Sequence, residues 1–208
     1  MKFNRLFCAL FGALFALTSL SSQTQAAEEK IKSVMGDDGI HKQTWFIDSF
    51  LDLREDLKDA QAKGKRFAIL WEQRGCPYCV ETHTVNLAIP QINNYVRDNF
   101  SVVQLNMWGD REVTDFDGEV TTEKKLARKW GVVFTPTINF MVEEKELKDG
   151  VSGNQQFAAV MPGYFKPFHF IRMFEFVKER RYENQHFQKY IAEVGEQYRK
   201  EGKSFNMW

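Results

Sequence analysis

Cysteine is scarce in this chain. Three occur in 208 residues, Cys8, Cys76 and Cys79, too few for the multiply stapled scaffolds of small secreted domains. Charge of one sign is missing too. Lys and Arg number 28 and Asp and Glu number 28, which gives no electrostatic case for a nucleic acid or an anionic membrane surface. Beyond the first 26 residues no apolar run is long enough to span a bilayer. There is no internal repeat and no low-complexity tract. No second C-x-x-C and no His-x-His pair accompanies Cys76-Pro77-Tyr78-Cys79, so a zinc site would lack ligands even with His83 as a third. Val80 stands where covalent haem attachment requires histidine.

What is present is a well-stocked core. Hydrophobic residues make up 43% of the chain and aromatics 14%, with 19 phenylalanines, so no staple is needed for stability. The first 26 residues have a basic start (Lys2, Arg5), an apolar run Leu6 to Leu17 and a polar stretch ending in Thr24-Gln25-Ala26. This reads as an export signal cleaved after Ala26, and Cys8 leaves with it. Removing Lys2 and Arg5 leaves 26 basic against 28 acidic residues, a net charge of about −2.

Helical spacing of Phe46, Phe50, Leu53 and Leu57 predicts a helix from Trp45, stopped at Gly64. The run Phe67 to Trp71 predicts a strand buried on both faces. A helix is expected from Pro77 to about Ile89 and a second from Pro90 to Asn99, each with proline in its first turn. Ser101 to Met107 reads as a strand, and Trp108 to Val120 as a polar insertion. A helix from Thr121 to Trp130, stopped by Gly131, precedes a strand Thr137 to Val142 and a polar turn region. An edge strand Phe157 to Met161, stopped at Pro162-Gly163, leads into helices carrying Phe168, Ile171, Phe174 and Val177, then Phe187, Tyr190, Ile191, Val194 and Tyr198. Strands alternating with helices argue a central sheet flanked by helices.

The two cysteines carry chemistry if their motif opens a helix, because i and i+3 share a face within disulfide reach. Cys76 would then lie at the helix head, where free N–H groups stabilise a thiolate, and Cys79 would attack a mixed disulfide formed there. A structural clip is the alternative, although closing so short a loop removes little chain entropy. His83 reads as a surface or substrate-side residue, and Tyr78 as a substrate contact by its place alone.

With Phe67-Ala68-Ile69-Leu70-Trp71, then Cys76-Pro77-Tyr78-Cys79, then Gly131-Val132-Val133-Phe134-Thr135-Pro136-Thr137 downstream, the chain resembles the thioredoxin superfamily. The resemblance implies a thioredoxin-like α/β fold: a central mixed sheet flanked by helices, with N- and C-terminal helical extensions. It implies a cis bond between Thr135 and Pro136, with Thr135 backbone groups pairing an extended substrate segment beside Cys76. It also implies that the only redox group is the Cys76–Cys79 disulfide, with no metal and no further cofactor. Three departures stand out. Leu70 occupies the position of the family's buried acid, so a proton acceptor for Cys79 must come from elsewhere, with Glu72 or water as the candidates. Pro77-Tyr78 resembles the central dipeptide of glutaredoxins, but their Gly-Gly-x-Asp region is absent. The Trp108 to Val120 insertion and the tail after Arg180 exceed a minimal thioredoxin. With the export signal, these features are similar to periplasmic thioredoxins of bacterial sulfur-oxidation systems.

The expected organisation is a signal peptide over 1–26, a flexible leader over 27–42, a thioredoxin-like domain over 43–181 and a C-terminal helical extension over 182–208. The expected protein is a periplasmic, monomeric thiol–disulfide oxidoreductase. It would reduce protein or small-molecule disulfides through catalytic Cys76 and Cys79, tuned by Pro77, Tyr78 and Glu72, with substrate held at Thr135 and Pro136. A membrane thiol electron-transfer protein would reset it. Oxidase or isomerase exchange, or a binding module without turnover, are the alternatives, since Pro77-Tyr78 does not set the potential.

Overall fold

The structure is a computed structural model and describes residues 29–203; the expected signal peptide, Cys8 and the Phe205–Trp208 tail lie outside them. A short antiparallel pair comes first, β1 (Val34–Met35) and β2 (His41–Lys42). It is followed by α1 (Leu53–Ala62), β3 (Arg66–Glu72), α2 (Pro77–Glu81), a widened π turn (Thr82–Asn86), α3 (Pro90–Asn99) and β4 (Phe100–Asn106). The hairpin strands β5 (Glu112–Thr114) and β6 (Val120–Thr122) lead to α4 (Glu123–Lys129), β7 (Thr137–Met141) and β8 (Phe157–Pro162). Two helices, α5 (Pro167–Lys178) and α6 (Phe187–Lys200), complete the order.

The main sheet runs β4-β3-β7-β8, with β3 and β4 parallel and the other two pairings antiparallel. Every residue of β3 is buried, as its unbroken apolar run predicts. Alternation then sorts its side chains into two layers. Phe67, Ile69 and Trp71 pack with Leu53, Leu57, Leu126 and Trp130 on one face. Ala68 and Leu70 pack with Ile92, Val96, Phe170 and Phe174 on the other. The mixed sheet with helices on both faces is the architecture expected from the order of elements.

Three expectations need correction. The first helix begins at Leu53, because the Asp52 side chain accepts from the Arg54 and Glu55 amides and so caps it there. Residues before it run along β4 instead: the Ile47 amide donates to Val102 O at 3.0 Å, and Phe50 is fully exposed. The helix after Cys76 keeps α geometry only to Glu81. Thr82 and Thr84 bond back to Tyr78 O and Val80 O, and Leu87 N donates to Thr82 O across the widened turn. Finally, the 27–42 leader carries regular structure from Val34, where β1 begins. Its β1–β2 turn contains Gly39 at φ 76, the Ile31 amide donates to Ala88 O, and Arg74 Nε donates to Asp38 O at 2.8 Å.

The insertion is anchored rather than loose. Asp115 is buried and accepts from Lys129 Nζ, Ser152 Oγ and the Gly153 and Phe116 amides, all at 3.0 Å or less. Trp130 Nε1 donates to its Oδ2 at 3.3 Å. Burial pushes this carboxyl up, but the Lys129 and Ser152 bonds outweigh it and hold it below its ordinary value. The C-terminal α6 docks on α5 through Phe187 and Tyr190 against Phe176.

Candidate active site

Gly75, at φ 72, turns the chain from the end of β3 into α2. Cys76 is the extended cap residue of that helix, and Pro77 fills the first helical position. The Cys79 amide donates to Cys76 Sγ at 3.1 Å. The two cysteines form a disulfide with a Cα separation of 5.2 Å, and both are buried. Thr135 and Pro136 stand directly opposite, joined by a cis peptide bond. Thr135 Oγ1 lies 3.4 Å from Cys76 Sγ, and Thr135 O lies 3.6 Å from it. The sheet makes this meeting possible, since Trp71 pairs with Thr137 across β3 and β7.

The rim is apolar. Tyr78 is exposed and stacks on Tyr164, centroids 5.8 Å apart and nearly coplanar at 13°. Tyr164 is itself held by an O–H bond to Asn86 Oδ1 at 3.1 Å. Val133 and Phe134, just before Thr135, are also exposed. A shallow pocket of about 270 Å³ borders this segment, with Trp108, Arg128, Gly131 and Val133 in its wall.

Leu70 packs among Leu87, Ile92 and Phe140, with no polar group in its place. Glu72 lies two residues further along β3 on the same face and is fully buried. His83 is fully buried as well, so it is neither a surface nor a substrate-side residue. Its Nε2 is 3.0 Å from Glu72 Oε2 and its Nδ1 is 3.1 Å from Gln43 Nε2, so both ring nitrogens are engaged within the protein. Gln104 Nε2 also donates to Glu72 Oε2, while Glu72 Oε1 is buried without a partner. The one signal in the sequence for His83 was its place four residues past Cys79. Gln43, Trp45 and Asn93, which extend this network, carried no signal at all.

A family model for the thioredoxin-like domain matches residues 53–178. The chain belongs to the thioredoxin-like family. Curated proteins offer no match to it. Among solved structures it is similar to a thioredoxin-fold protein from Helicobacter pylori, at 18% identity and a TM-score of 0.53 over 74% of this chain and 88% of that one. A thioredoxin from Thermus thermophilus shares 24% identity over 63% of this chain and 82% of its own, with a TM-score of 0.42. The first likeness supports the thioredoxin-like fold, and a fold of this family, with a cysteine pair at disulfide distance, suits thiol–disulfide exchange.

Proposed function

We propose that this protein is an exported thiol–disulfide oxidoreductase that reduces disulfides through Cys76 and Cys79. The observation that carries the reading is the setting of Cys76 Sγ, capped by the Cys79 amide at 3.1 Å and faced by Thr135 at 3.4 Å. A backbone N–H aimed at sulfur favours the thiolate, the nucleophilic form. Cys76 thiolate attacks a substrate disulfide, forming a mixed disulfide and releasing one substrate thiolate. Cys79 then attacks Cys76 Sγ, closes the protein disulfide and releases the second. The substrate chain lies extended against Thr135, and the exposed Tyr78, Val133 and Phe134 receive its side chains.

Export rests on the basic start and apolar run of the first 26 residues. In that setting a membrane thiol electron-transfer protein returns Cys76 and Cys79 to the dithiol, and the protein acts as a monomer in the periplasm. A place in sulfur metabolism rests only on the resemblance of its motif and extensions to the sulfur-oxidation thioredoxins.

The test is reduction of insulin disulfides with dithiothreitol as electron source. The wild type is expected to accelerate it and Cys76→Ser to abolish the effect. An inactive wild type, or activity kept in Cys76→Ser, refutes the reductase reading. A reduction potential near those of the strong periplasmic oxidants would reverse the direction of flow.

A further inference from the structure

Beneath α2 runs a chain of buried and half-buried hydrogen bonds whose directions can be assigned one by one. It starts at Trp45, whose indole nitrogen can only donate. Trp45 Nε1 donates to Asn93 Oδ1 at 3.0 Å, so the Asn93 amide nitrogen must be its other end, and it donates to Leu87 O at 2.7 Å and Gln43 Oε1 at 2.9 Å. Gln43 Nε2 therefore donates to His83 Nδ1 at 3.1 Å. An imidazole that accepts at Nδ1 carries its proton on Nε2, and that proton points at Glu72 Oε2, 3.0 Å away. Gln104 is fixed independently, because its Nε2 donates to the carbonyl of His41 at 2.6 Å and also to Glu72 Oε2.

Both donors therefore converge on Oε2, and Oε1 is left buried and open. Gln43 Nε2 occupies the Nδ1 lone pair of His83. Cys79, in α2, and His83, in the π turn that continues it, are four residues apart and both buried. The carboxyl of Glu72 is bonded to that imidazole. It lies about 7 Å along β3 from position 70, towards the cysteines.

We propose that Glu72, held at Oε2 by the hydrogen-bond chain from Trp45 and with Oε1 unbonded, is the proton acceptor for Cys79 in place of an acid at position 70. In the disulfide form no sulfur is bonded to Glu72 Oε1; in the resolving step the reduced Cys79 S–H gives its proton to that oxygen. The thiolate attacks Cys76 Sγ of the mixed disulfide, the Cys76–Cys79 bond forms, and the bond from Cys76 to the substrate sulfur breaks. Two electrons leave the protein dithiol and reduce the substrate disulfide. The departing thiolate takes its proton from solvent. Trp45, Asn93, Gln43 and His83 are positioning residues. This proposal deepens the exchange reading and rests on it.

The test is closure of a Cys76–glutathione mixed disulfide by Cys79, followed by stopped flow as glutathione is released across the pH range. Closure needs no protein substrate, so it remains readable if the protein proves inactive on insulin. Glu72→Gln keeps the shape and removes the acceptor. It is expected to slow closure about 100-fold near neutrality, the low end for a positioned acid–base group, with the gap narrowing as pH rises and the free thiol ionises unaided. Titratable groups facing the pair are His41, stacked on His83 at 6.1 Å, and the two cysteines; Gln104 from β4 is neutral. A closure rate within about threefold of wild type, or a deficit of the same size at every pH, overturns the proposal. If Glu72→Gln fails to fold, Trp45→Phe tests the same chain with Glu72 in place. A smaller loss of the same pH dependence, about three- to tenfold, supports it, and an unchanged profile overturns it.

Discussion

Replacing the resolving cysteine by serine turns the exchange cycle into a trap, and the structure sets how long the trap should hold. A thiol confined within 5.2 Å of Cys76, the Cα separation of the pair, is present at an effective concentration of roughly 3 M. A competing free thiol at about 1 mM is then outmatched roughly 3000-fold, before any gain from orientation. Cys79→Ser should therefore lengthen the life of a Cys76 mixed disulfide by at least about 1000-fold under those conditions. The substitution leaves the backbone amide at position 79 facing Cys76 Sγ, so formation of the adduct should be little affected. Intact mass spectrometry after mixing the reduced variant with a model disulfide reads both quantities. Raising the free thiol should shorten the adduct lifetime in proportion. An adduct that decays within tenfold of the wild-type rate would show that Cys79 does not resolve it, and adducts formed equally in Cys76→Ser/Cys79→Ser would show that Cys76 does not form it.

Two further predictions concern stability. Asp115→Asn leaves at least two of the five donors around that carboxylate facing another donor, and at about 1–3 kcal/mol per orphaned buried group it should destabilise the fold by about 3 kcal/mol in denaturant titration. Because the folded carboxyl sits below its ordinary value of 3.8, its contribution is complete above that pH and disappears as pH falls through the folded value; the deficit should shrink in acid. Asp56 has the opposite sign: burial first, then Asp52 and Asp59, push its carboxyl up to about 6 against the Ser49 bond. Its charged form thus opposes folding fully above pH 6, so Asp56→Asn should stabilise the protein by about 1 kcal/mol near pH 7.5 and have no effect near pH 3.5.

The fold was legible wherever a local signal and the tertiary outcome agreed. Pro90 to Asn99 forms a helix with proline in its first turn, and Gly131 at φ 71 ends the one before it. Cys76 and Thr135 were legible as a pair because strand, motif and proline loop keep a recognisable order. Phe46 and Phe50 misled because helical spacing is only a pattern of separations. Asp52 overrode it by capping the helix six residues after Phe46, and the freed segment lies along β4. The polar network was hidden for a different reason. A strand buried on both faces gives no alternation in its sequence, so nothing said that the face shared by Leu70 and Glu72 is the one that meets His83. Gln43 and His83 are 40 residues apart, a contact made only by tertiary folding.

These contacts bear on where the working unit begins. The family match starts at residue 53, and it contains both cysteines, Glu72, His83 and Thr135. It omits Gln43 and Trp45, the two residues that fix which nitrogen of His83 carries a proton. A carboxylate at position 70 would need no such help, since it would stand on β3 without an imidazole to orient. Moving the acid two residues along the strand brings it against His83, and a histidine can present either a donor or an acceptor to it. The presented group decides whether the contact at Oε2 is a hydrogen bond to a carboxylate. The segment ahead of α1 supplies that decision, with Gln43 buried against His83 and the half-buried Trp45 bonded to Asn93. The leader, the departure at Leu70 and the burial of His83 are thus one arrangement. If Glu72 accepts the proton as proposed, the working unit begins at least ten residues ahead of the matched domain.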